Sequence, residues 1–183
     1  MRLPNLVYAT GFALIVAVLS GCAPSGPAIP PEPTATFVAP YATDEEALAA
    51  AEEAYAEYVR VLLESYRRDA SGPSALHTVA SGGHLKELLA EFEDRVAGDR
   101  YIIGEQSFDQ MVLQRYSRDS SLSEVIAVYL CDDLSGLAIY QDGEKVAPIE
   151  PLPPTVVQVV FDYSPDSKSL LVSARDIWSD EPC

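Results

Sequence analysis

The chain has 183 residues, 48% of them hydrophobic and 22% charged, and carries a net charge of −16 from 12 basic and 28 acidic side chains. That apolar share is the composition of a globular protein and excludes a wholly disordered one, and the length leaves room for one folded domain. So large a negative field repels polyanions, and no nucleic-acid partner is expected.

The chain begins with Arg2 as its only early side-chain charge, followed by an apolar run from Leu6 to Leu19. That run, at about fourteen residues, is shorter than the ~20 that cross a bilayer and matches the core of an export signal. It leads into Leu19-Ser20-Gly21-Cys22, a branched residue, two small residues and a cysteine. This is the pattern of a bacterial lipobox, so residues 1–21 read as a cleaved signal peptide and Cys22 as the lipid attachment. Counting the run from Leu3 instead gives an uncleaved anchor, which places the same domain outside the membrane.

Residues 22–43 read as the lipidated cysteine and a tether, with Pro24, Pro27, Pro30, Pro31, Pro33 and Pro40 spaced by small residues. Proline removes backbone donors and favours extended chain. At ~3.1 Å per residue the tether spans up to about 60 Å. A spacer is expected here rather than a peptide-recognition motif.

Residues 44–183 form the expected domain. Thr43-Asp44-Glu45-Glu46 is a capping box that starts a helix. Leu48, Ala51, Tyr55, Tyr58, Val59, Leu62 and Tyr66 then recur at helical spacing, with Arg67 and Arg68 in the last turn and Gly72-Pro73 as the stop. Tyrosines on such a stripe line a polar cavity or, more commonly, sit at a core edge with the hydroxyl in water. A short helical piece over 74–80 precedes a second helix from His84 to Ala97, closed by Gly98.

Beyond Asp99 the period becomes extended, with strands expected over 101–103, 107–117, 124–131, 136–141, 155–163 and 169–178. Gly104 marks a bend, Asp142-Gly143 a hairpin turn, and Pro148, Pro151, Pro153 and Pro154 an irregular crossing. Helices followed by strands give an α+β class, two main helices on one curved, mostly antiparallel sheet.

Cysteine arithmetic adds a staple. With Cys22 consumed by lipid, Cys131 and Cys183 remain as an even pair, oxidised outside the cytoplasm unless both stay free thiols.

Candidate chemistry is sparse. His77 and His84 straddle a Gly-Gly break and do not form a metal-ligand pair, so both read as ordinary helix-end residues. Cys131-Asp132-Asp133-Leu134-Ser135-Gly136 lacks calcium-loop spacing and reads as a strand-end turn. No metal or other cofactor is expected. Strand alternation places Asp176 with Leu170, Val172, Ala174 and Trp178, and Asp162 with Val156 and Val160, which makes these two acids the weak catalytic candidates.

The lipobox, the Pro/Thr tether, the acidic-capped long helix, the helix ending in glycine, the Cys131–Gly136 segment, the Gln141-Asp142-Gly143 turn and the closing cysteine together resemble a known layout. It is that of envelope lipoproteins of high-GC Gram-positive bacteria with a nuclear-transport-factor-2-like domain. The resemblance implies a cone-shaped domain with a pocket at its wide end, Cys22 lipidated, and Cys131 bridged to Cys183. Ser164-Pro165-Asp166-Ser167 stands where that layout usually has an aspartate-glycine turn. The expected role is non-catalytic: a membrane-anchored, extracytoplasmic module for an unknown protein or small-molecule partner. The alternatives are an enzyme acting on a small apolar substrate in the cone, and a dimerising structural module.

Overall fold

The computed structural model describes residues 40–70, 72–118, 124–148 and 152–183. The lipobox, Cys22 and most of the tether lie outside the described residues. Among the described residues no helix is long and apolar enough to cross a membrane.

Helix α1 spans Asp44–Ser65, and Thr43 Oγ1 accepts the Glu46 amide at 3.1 Å. The Glu46 carboxylate reaches one residue further back than a standard box, to the Ala42 amide at 2.8 Å. The helix stops at Tyr66, before the expected Gly72-Pro73. The Tyr66 amide still bonds back to Leu62 and Leu63, but its carbonyl accepts the Ile102 amide at 2.9 Å and so joins the start of the sheet region. Arg67 and Arg68 therefore fall outside the helix, and the Arg68 guanidinium lies over the Tyr101 ring.

A 3-10 turn, Pro73–Thr78, leads into α2, Gly82–Ala97. Helix α2 starts two residues earlier than expected. Its N-cap, Ser81, makes no side-chain cap bond because the hydroxyl is given to Asp162 at 2.7 Å.

Among the described residues seven strands follow: β1 (Arg100–Gly104), β2 (Ser107–Tyr116), β3 (Glu124–Asp133), β4 (Leu137–Gln141), β5 (Glu144–Ala147), β6 (Thr155–Ser164) and β7 (Ser169–Pro182). All pairings between these strands are antiparallel. The α+β class holds, but the strands form two sheets where one was expected, in the orders β1-β4-β5 and β2-β3-β6-β7. The break falls at two glycines: a Cβ on Gly104 would stand 2.0 Å from the Gly136 carbonyl oxygen, and Gly104 has φ +121°. Only a residue without a side chain permits so close a crossing.

The core lies between the helices and the four-stranded sheet. Ala47, Ala51, Tyr55, Tyr58 and Val59 of α1 meet Ile126, Val128 and Leu130 of β3, Val157, Val159 and Phe161 of β6, and Leu170 and Val172 of β7. These sheet positions alternate along each strand, as one buried face requires. Cys131 and Cys183 stand at disulfide distance, with Cα atoms 6.0 Å apart.

Candidate functional site

The helix-facing side of β3 runs Ile126, Val128, Leu130 and then Asp132, so an acid occupies the fourth position of an apolar face. Asp132 is 1% exposed. The expectation of a strand-end turn is corrected here: the strand continues to Asp133, and its pairing with Phe108 and Thr155 carries Asp132 inside.

A buried carboxylate needs donors, and three elements supply them. Tyr55 of α1 donates its hydroxyl to Asp132 Oδ2 at 3.1 Å. Gln106, between β1 and β2, donates Nε2 to Oδ1 at 2.8 Å and to Oδ2 at 3.0 Å. Arg175 of β7 pairs with Oδ2 through NH2 and donates Nε to the Tyr55 hydroxyl at 3.1 Å. Tyr55 is itself fixed by the Phe108 ring edge at 4.9 Å and by Tyr58 stacked at 5.6 Å.

Arg175 faces inward because β7 carries an irregularity. Phe161 opposes Val172 and Val160 opposes Ala174, so Ser173 is one residue extra. Such a bulge reverses which residues face the core beyond it. Arg175, opposite the buried Val159, turns inward, and Asp176, opposite Gln158, turns out and is exposed. Sequence alternation, which ignores the bulge, had Asp176 beside Leu170 and Val172.

Asp162 lies on the sheet face away from α1, since Val157, Val159 and Phe161 take the inward positions. Its Oδ2 accepts the Ser81 hydroxyl, while Oδ1 is buried without a partner among the described residues. The structure does not bring the two acids together.

His84 is also corrected. It lies in the first turn of α2 with its side chain only 11% exposed, and its Nε2 is 2.9 Å from the Tyr58 hydroxyl. His77 remains at the surface. Tyr55 and Tyr58 are 0% and 1% exposed, so the rarer of the two sequence readings, tyrosines lining a polar interior, describes them.

Burial sets the protonation of this cluster. It pushes the Tyr55 phenol well above its ordinary range; Arg175 opposes the shift and the Asp132 charge adds to it. Burial likewise raises Tyr58. For Arg175 burial disfavours the charge, but Tyr55 and Asp132 outweigh it and hold the guanidinium above its usual value. His84 falls below its ordinary 6.5 through burial, with Glu87 offsetting part of the effect. Tyr55 spends its proton on Asp132, so the groups that can face a bound oxyanion or carbonyl are the Tyr58 phenol, the His84 imidazole and the Arg175 guanidinium. Among the described residues, no three His, Cys, Asp or Glu side chains converge on a metal position.

Arg175, His84, Tyr58 and Gln106 line a half-open cavity of about 210 Å³ between the helices and the sheets. Leu62, Leu63, Leu88, Ile102, Leu134 and Leu137 supply its apolar wall.

By sequence, no protein family and no curated protein matches this chain. Among solved structures, the intermembrane space region of the chloroplast protein ARC6 overlaps 71% of this chain and 95% of its own length, with a TM-score of 0.51 at 7% identity. That similarity is one of fold. A de novo designed β-sheet protein overlaps at a TM-score of 0.32, too low to bear on the argument.

Proposed function

We propose that this chain is a lipid-anchored protein of the cell membrane, facing the extracytoplasmic side, whose domain binds a partner protein or small ligand without catalysing a reaction. The observation that carries the reading is Leu19-Ser20-Gly21-Cys22, set between a short apolar run and a proline-rich tether. The Cys131–Cys183 pair fits an oxidising compartment. The fold likeness to a domain from a chloroplast intermembrane space fits an envelope setting. A cone-shaped, nuclear-transport-factor-2-like arrangement suits a binding role, with the interior cavity as its pocket.

An anchor of two acyl chains, at ~0.8 kcal/mol per buried methylene, holds the domain without a basic patch, as so acidic a chain requires. Intact-mass measurement of membrane-extracted protein tests the anchor: the mature chain starts at Cys22 and carries diacylglycerol mass, and Cys22→Ala releases the protein from membranes. A mature chain that still begins at Met1 overturns it. Crosslinked pull-down together with a small-molecule screen tests the binding role, and a blank in both counts against it.

A further inference from the structure

We propose that the cavity beside Arg175 binds a small organic carboxylate, a single carboxylate head on an apolar body of one ring or a short chain. This rests on the reading of the domain as a binding module and names the ligand class.

The head group follows from the donors. A guanidinium carries five N–H groups in a planar fork that matches a carboxylate. Arg175 spends one on Tyr55 and one on Asp132, and its remaining N–H groups have no partner among the described residues. The Asp132 oxygen that meets Arg175, Oδ2, is filled, since it also accepts from Tyr55 and Gln106. Asp132 and Tyr55 thus act as positioning residues that hold the fork in place at the cavity wall. Tyr58 gives a second contact: when His84 Nε2 is the donor across their 2.9 Å bond, the phenol proton is free for a ligand oxygen.

The charge follows from the cation count. Arg95 also lines the cavity, but it is held by Glu91 at 2.5 Å and lies over the Tyr66 ring. Arg175 faces Asp132 and Arg95 faces Glu91, which also lines the cavity, so no surplus positive charge is on offer. A single carboxylate held by the free N–H donors adds the least charge that can use them, whereas a phosphate dianion adds twice as much beside an apolar wall.

The size follows from the volume. About 210 Å³ exceeds the ~150 Å³ of an apolar cavity that takes benzene. It admits a ring or a chain of roughly six to eight carbons against the six aliphatic side chains of the wall.

The experiment titrates the lipidated protein in zwitterionic nanodiscs with hexanoate and with benzoate, read by calorimetry and ligand-observed NMR, against empty nanodiscs. Hexanamide and benzamide serve as neutral counterparts of the same shape. The expected result is saturable one-to-one binding of at least one acid, at least tenfold tighter than its amide. Asp132→Asn with Arg175→Gln, which removes both charges together, abolishes the preference for the acid. Leu134→Phe, which fills the cavity and leaves the charges alone, weakens acid and amide alike. Equal binding of acid and amide, or no saturable binding of either acid to folded protein, overturns the proposal. A partner protein captured by crosslinking while both acids fail leaves the binding-module reading standing and removes the carboxylate.

Discussion

Replacing Asp132 with alanine removes one side chain and strands three others. Tyr55, fully buried, loses the acceptor of its hydroxyl; Gln106 loses both of its bonds; Arg175 loses its counter-ion. A buried donor left unmatched costs about 1–3 kcal/mol, and breaking a buried ion pair on one side costs about 3–5. The Arg175 side chain is 23% exposed, so water recovers part of its charge. The expected loss is therefore about 3–4 kcal/mol. Asp132→Ala with Arg175→Met removes the stranded cation, and the double variant should lose only about 1–2 kcal/mol, with methionine filling the guanidinium's space. Urea unfolding at pH 7 with the disulfide intact measures both. The single variant should lower the midpoint by about 1–2 M at an unchanged slope. A single-variant loss under about 1 kcal/mol, or a double variant as unstable as the single, would refute the view of Asp132 as the counter-charge that fixes Arg175.

Four further outcomes follow from His84, the cysteine pair and two glycines. His84 is depressed below 6.5 in the folded protein, so above that pH it adds nothing, and as pH falls below it the unfolded chain takes up a proton that the folded one refuses. Thermal midpoints should drop between pH 7 and pH 5, and His84→Gln should flatten that drop; an unaltered slope would contradict the assignment. Replacing Cys131 and Cys183 together by serine opens a loop of 52 residues, and should cost about 4 kcal/mol in urea unfolding; a loss under about 1 kcal/mol would show the pair to be unlinked in the native protein. Gly104→Ala places a Cβ 2.0 Å from the Gly136 oxygen at φ +121° and should cost more than about 2 kcal/mol. Gly83→Ala, in α2 with open space around it, should instead gain about 0.5–1 kcal/mol by circular-dichroism melting.

The parts of this fold that were legible from sequence are those where a period runs unbroken. The stripe from Leu48 to Tyr66, the alternation of β3 and β6 and the last two cysteines each carry their own geometry. What escaped depends on contacts between distant segments. The split into two sheets turns on Gly104 meeting Gly136, which no local pattern announces. Strand β5, Glu144-Lys145-Val146-Ala147, is short, largely exposed and at a sheet edge, so it lacks an apolar alternation. The helix end at Ser65 is set by the bond from Ile102 to the Tyr66 carbonyl, whereas the sequence shows only a stop seven residues on. The candidate site was missed for a related reason. Asp132 was visible as an acid ending the Ile126-Val128-Leu130 series, but its partner Arg175 reaches the same face only through the extra residue at Ser173. Strict alternation chose Asp176 in its place.

The Cys131–Cys183 link closes a covalent ring that contains all of β4, β5, β6 and β7. A protease that cuts once anywhere inside this ring makes two chains but still one molecule. Neither piece can diffuse away, and the inward face of β7 with Arg175 stays tied to β3 and Asp132. Nicking within the ring thus differs from shedding of a fragment. Non-reducing gels should show a single intact band where reducing gels show two fragments.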